Sequence, residues 1–166
     1  VADFQSHIIQ SQHNFSVLGQ LNAKVSNSID WQITICFYTA LHLIDAYLAK
    51  EGNIHYNKHI EVRKAIWFDE PLSLLKLPED ICLAYRSLEN LSRKARYLCS
   101  DIDGQREKEK AIAHIVKDKD LYKALKKCGV IIEYFANKYP EEVRFETIKM
   151  MCKEATIGTK IPFIQF

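Results

Sequence analysis

With 166 residues, 48% hydrophobic and 27% charged, the chain holds enough apolar material for one buried core and enough charge to cover it. Its 23 Lys and Arg against 21 Asp and Glu leave a formal charge of +2, which excludes a global field for nucleic acid or membrane; any such partner must meet a local patch. Five cysteines, Cys36, Cys82, Cys99, Cys128 and Cys152, form no C-x-x-C pair and leave an odd count. Reduced thiols and a cytoplasmic setting are therefore expected, not a disulfide framework.

Five glycines, four prolines and no alternating β-branched runs predict an all-α chain. The opening DFQSHIIQSQHNF lacks a basic start and a continuous apolar segment, so no secretory signal is expected, and the N-x-S matches at Asn14 and Asn90 are read as chance. Phe4, Ile8, Ser11, Phe15, Leu18, Asn22 and Val25 recur at spacings of three and four, predicting a first helix over about 3–25. Asn27 or Ser28 is placed to cap a second, longer helix, with Asp30 in its first turn and Gly52 as its left-handed stop. Its apolar run, Ile33 to Ala49, is interrupted by His42 and Asp45 and falls short of the roughly 20 residues that span a bilayer.

A third, short helix is predicted from near Asn57 to Trp67. Pro78 with Glu79 and Asp80 starts a fourth, with Ile81, Ala84, Tyr85, Leu88, Leu91, Ser92, Ala95 and Leu98 as its buried stripe. A turn over Asp101 to Gly104 and a polar helix that breaks near Lys117 to Lys119 precede a clear stripe at Leu121, Leu125, Cys128, Ile132, Phe135 and Tyr139. Pro140 with Glu141 and Glu142 repeats the proline-acid start, predicting a last short helix through about Glu154, and residues 157–166 read as an irregular tail. The sum is one domain over 1–156, an antiparallel up-and-down bundle of four main helices plus one or two short ones.

Chemistry concentrates between Trp31 and Trp67. On the second helix Ile33, Phe37, Ala40, Leu41, Ile44 and Leu48 make the core stripe. Trp31, Ile35, Tyr38, His42, Asp45 and Ala49 make a neighbouring stripe that admits polarity. His42 and Asp45 lie three apart, close enough for a carboxylate to orient an imidazole, whether for packing, proton transfer or ligation. His55, His59 and Arg63 follow. His42, Asp45, His55 and His59 are suited to zinc or a harder divalent ion, but no H-E-x-x-H or paired E-x-x-H element occurs, so no metal or other cofactor is assigned. On the fourth helix Arg86, Glu89, Arg93 and Arg96 share a polar face, with Tyr97 four beyond Arg93. It reads either as a solvated face laced by Glu89 with Arg86 and Arg93, or as a small aromatic-flanked patch for phosphates. His13 and His114 read as surface residues.

FYTALHLIDAYLAKEG, a spacer with N-K-H and Arg63 downstream, Y-x-x-L-x-x-L-S-R-K-A-R-Y, and LYKALKKCGVIIEYFANKY follow one another in an order that resembles the HEPN family (higher eukaryotes and prokaryotes nucleotide-binding), over about 27–139. The places of that family's motifs are taken by Phe37-Tyr38 through Gly52, by His59, and by Arg93 through Tyr97. The resemblance implies a helical bundle, commonly a homodimer, in a family of metal-independent ribonucleases of toxin and antiphage systems, nucleotidyltransferase partners and inactive binding modules. The Arg-x4-6-His motif of the ribonuclease members is missing, since Arg106 and His114 are too far apart, and Arg96 stands where the arginine helix has Asp.

Three functions follow as expectations. The first is a HEPN-like module for RNA or nucleotides. Arg93, Arg96, Tyr38, Asp45, Arg63 and Tyr97 would bind; His42, His59 and Arg93 would be catalytic, if at all as an atypical metal-independent endoribonuclease. The second is a non-enzymatic dimerisation or protein-interaction module, and the third a metal-dependent helical-bundle enzyme.

Overall fold

A computed structural model describes residues 3–73, 75–97, 116–156 and 158–166. Its elements are α1 (Phe4–Lys24), α2 (Ile29–Gly52), α3 (His59–Ile66), α4 (Glu79–Tyr97), α5 (Asp118–Lys138), β1 (Ile148–Lys149) and β2 (Ile164–Gln165). The protein is predominantly all-α, a helical bundle that among the described residues has four long helices and one short one. Among the described residues no helix is long and apolar enough to cross a membrane.

Asp3 starts α1 by accepting the Ser6 amide at 2.8 Å, satisfying a donor that the helix itself leaves free. The three-and-four spacing then buries Ile8, Ser11, Phe15 and Leu18, whereas Val25, assigned to that stripe, is the exposed C-cap. Helix α2 packs on α1, α4 and α5 and is buried along most of its length, with Ile33, Phe37, Ala40, Leu43, Ile44 and Leu48 fully enclosed. Each large side chain so buried contributes roughly 1.5–3 kcal/mol. At the α1–α2 contact the Ser11 hydroxyl donates to the Thr39 carbonyl at 2.7 Å.

Helix α2 ends differently from its expected stop. Asn53, not Gly52, takes the left-handed conformation (φ 52°), a state its short polar side chain tolerates. Gly52 is still helical, and a Cβ there would lie 2.5 Å from Leu75 Cδ1, so the glycine serves close packing. Pro78 likewise sits just ahead of α4, its carbonyl accepting from the Ile81 and Cys82 amides. The α4 and α5 stripes are otherwise as expected: Ile81, Ala84, Tyr85, Leu88, Ser92 and Ala95 are buried, Leu91 is half-buried, and the stripe from Leu121 to Tyr139 is enclosed. Leu98, Cys99, the turn over 101–104 and most of the polar helix after it, with Arg106 and His114, lie outside the described residues.

The predicted helix after Pro140 does not form. The segment makes one turn, with the Val143 amide on the Tyr139 carbonyl at 2.9 Å, and then extends into β1, which pairs in parallel with β2. Pairing with the C-terminal segment overrides the proline-acid start, and Thr147 and Ile148 suit an extended chain. The expected irregular tail therefore contributes a strand and two buried side chains, Ile161 and Ile164. Gly129 on α5 admits it: a Cβ there would lie 2.6 Å from Ile161 Cγ2. Asn22 holds the chain just after β1 to α1, donating to the Met151 carbonyl at 3.0 Å and accepting the Met151 amide at 2.6 Å.

Candidate functional site

Two groups of polar side chains meet α2, about one helical turn apart along it. The first joins α2 to α1. His42 and Asp45, three apart on α2, face His7 of α1, whose Nδ1 lies 3.1 Å from His42 Nδ1. One ligand-type atom from each of His7, His42 and Asp45 falls within 4.8 Å of the others. Asp45 is 8% exposed and His7 4%, and both Asp45 Oδ1 and His7 Nε2 are buried without a hydrogen-bond partner. Burial alone pushes the Asp45 carboxyl up to about 7. Burial, reinforced by His7, holds His42 down to about 4, and His7 itself is lowered by burial and then by His55. The exposed ring of His55, from the loop after α2, stacks on His7 with centroids 5.5 Å apart.

The second group joins α2 to α3 and α4. Arg96 of α4 donates through Nη1 to the Tyr38 hydroxyl at 3.4 Å, and its guanidinium lies 6.0, 5.8 and 5.1 Å from the ring centroids of Phe37, Tyr38 and Tyr97. Tyr97 is 64% exposed, so this stack opens to solvent. His59, the first residue of α3, packs edge-on against Phe37 at 5.3 Å. Its pKa is lowered by burial and by Arg96, against the pull of Glu89. Arg63, one turn along α3, donates to Glu89 Oε2 at 2.9 Å.

Glu89 is thus not part of a solvated face shared with Arg86 and Arg93; it is 5% exposed and answered from a different helix, while Arg86 lies over Trp67 at 5.8 Å. Arg93 is half-buried on the same helix. Tyr85 stands between the two groups: its pKa is raised, chiefly by burial, then by Glu89 and Asp45, and its buried hydroxyl has no hydrogen-bond partner.

The expected site is therefore divided. Tyr38, His59, Arg63, Arg96 and Tyr97 assemble in one place, His42 and Asp45 in another. Of the four residues weighed as ligands, His59 belongs to the second group and His55 stacks on His7, while His7 itself stands beside His42 and Asp45. His7 is absent from the sequence-derived candidates although it lies three beyond Phe4 and four before Ser11, on the buried side of α1. The signal was a histidine at a core spacing. A cleft of about 390 Å³ lined by Asn22, Met150, Met151 and Phe166 lies at neither group. In comparisons with known proteins, no family model, curated protein or solved structure matches the chain.

Proposed function

We propose that this chain is a HEPN-like helical domain that binds RNA or nucleotides through the Arg96 stack, without the standard HEPN ribonuclease reaction. Its setting would be a toxin, antiphage or nucleotidyltransferase-paired system, and its working form a homodimer. The observation that carries the reading is the meeting of Arg96 with Tyr38, Phe37 and an exposed Tyr97, at the junction of the two helices whose motifs resemble that family. A guanidinium fork matches phosphate oxygens, and an exposed phenol ring offers a face on which a base stacks.

His59 is the histidine beside Arg96, and with its pKa lowered it is neutral near pH 7 and free to accept a proton. His42 is turned toward His7 instead. That division favours binding over a paired-histidine cleavage, which needs two proton-transfer groups at one reacting centre.

Fluorescence anisotropy with short single-stranded and structured RNAs at low salt tests the reading. Arg96→Ala and Tyr97→Ala are each expected to weaken binding about tenfold, in line with the roughly 1–3 kcal/mol lost per stacked base. The affinity should fall as salt rises, with the small slope of a few phosphate contacts. RNA neither bound nor cut at low salt would sink the proposal and leave the protein-interaction reading.

A further inference from the structure

We infer that His7, His42 and Asp45 form a binding site for a single transition-metal ion of the zinc class, held between α1 and α2. The three side chains come from two helices that pack broadly on each other, so the backbone positions of the donors are fixed by the core and not by a loop. Ser11, one turn from His7, and Thr39, one turn before His42 and Leu43, lock that contact with a buried hydrogen bond of 2.7 Å.

The donor spacing is compatible with a metal ion. Tetrahedral zinc with nitrogen ligands at about 2.0–2.1 Å places adjacent nitrogens about 3.3 Å apart. The two imidazole Nδ1 atoms stand at 3.1 Å. One Asp45 carboxylate oxygen lies within 4.8 Å of a ring nitrogen of each histidine, so a side-chain adjustment would complete a two-histidine, one-carboxylate set. Imidazole and carboxylate together suit zinc, cobalt or nickel better than magnesium or calcium, which prefer all-oxygen cages. Three protein ligands leave a fourth position for water, as in open zinc sites.

A further observation, independent of that spacing, points to a ligand here. Asp45 is more than nine-tenths buried, and its Oδ1 has no hydrogen-bond donor, though buried carboxylates are ordinarily paired or coordinate metals. A cation at the centre of the three groups would neutralise the carboxylate and use both imidazole lone pairs. A histidine–histidine hydrogen bond uses one lone pair and leaves Asp45 unanswered.

Cobalt and zinc titrations of the chelator-stripped full chain test the site with the metal alone, so the result does not depend on whether RNA binds. One cobalt ion per chain should bind with a visible absorption several-fold more intense than that of the aqua ion, as four- or five-coordinate cobalt gives, and zinc should displace it. His7→Gln, His42→Gln and Asp45→Asn should each weaken zinc at least tenfold, while His13→Gln, at an exposed histidine, should not. Asp45→Asn is nearly isosteric and keeps the result readable if a histidine variant fails to fold; circular dichroism checks each variant. The inference is overturned by binding weaker than millimolar, by an aqua-like cobalt spectrum, or by equal losses in His13→Gln and Asp45→Asn. An ion seated on exposed histidines would give that last result.

Discussion

At one turn of α2, His42 and Asp45 meet His7 in a space where two polar atoms have no protein partner; one turn earlier, Tyr38 meets Arg96 and, beside it, Glu89 is matched by Arg63. Both groups put charge-bearing residues on a helix that is otherwise core. They differ in how the charge is answered. The Arg96 and Arg63 side satisfies itself with guanidinium donors and keeps one aromatic, Tyr97, at the surface. The His7 side is closed and incomplete. A satisfied, open group is suited to meet a large partner, and a closed, unsatisfied one to hold a small ligand.

The largest effect should come from cutting the satisfied side. Arg63→Ala leaves Glu89 buried without its cation. Breaking a fully buried pair costs about 3–5 kcal/mol, and because the Arg63 side chain is 30% exposed the expected loss is about 2–3 kcal/mol by urea unfolding. Adding Glu89→Leu should recover part of it, since an apolar residue of similar size removes the stranded charge. A loss below about 0.5 kcal/mol would mean that the pair behaves as a surface ion pair, and the contrast between the two sides would collapse.

On the closed side the sign should depend on the metal. In chelator, Asp45→Asn removes an unanswered buried carboxylate and should raise stability by about 1–2 kcal/mol. With zinc at about a hundred times its dissociation constant, the wild type should gain about 2.7 kcal/mol and the variant much less, so the ranking reverses. Thermal unfolding of both proteins in chelator and in zinc measures this directly. A variant less stable than wild type in chelator would show that a donor answers Asp45, and the two groups would then not differ in kind.

How much of this could be read in advance follows the range of the interactions. Helix boundaries and core stripes depend on local spacing, and α1, α2, α4 and α5 begin and end within a few residues of their expected positions. The segment after Pro140 departs from its expected helix because its extended form depends on pairing Ile148 with Ile164, a contact no local pattern announces. The candidate residues are legible one by one: Tyr38, His42, Asp45, His59, Arg63, Arg96 and Tyr97 are polar or aromatic positions on helices that also carry core stripes. Which of them meet is not, since that depends on helix rotation. Glu89 looked solvated because Arg86 and Arg93 flank it on its own helix, whereas its cation comes from α3. His7 was hidden for the opposite reason, being the lone polar ring among the core positions of α1, and only the packing of α1 on α2 gives it a role.

The smallest effect is a pH dependence on the open side. His59 is faced by Glu89 and Arg96 of α4, with Arg63 on its own helix and Phe37 of α2, and its pKa is lowered from the ordinary 6.5, first by burial. A histidine held below its ordinary value binds fewer protons folded than unfolded. As pH falls through about 6.5 the unfolded chain therefore takes up protons first, and stability is lost down to the folded pKa. His59→Gln should reduce that acid-side loss while leaving stability above pH 7 nearly unchanged, and Arg96→Ala, which removes a lowering influence, should move the His59 titration upward in an NMR experiment. A wild-type His59 that titrates above 6.5 would mean that Glu89 outweighs burial and Arg96 together. The ring would then be charged through the acid range and would join Arg96 as a second cation for phosphate, not serve as a neutral proton acceptor.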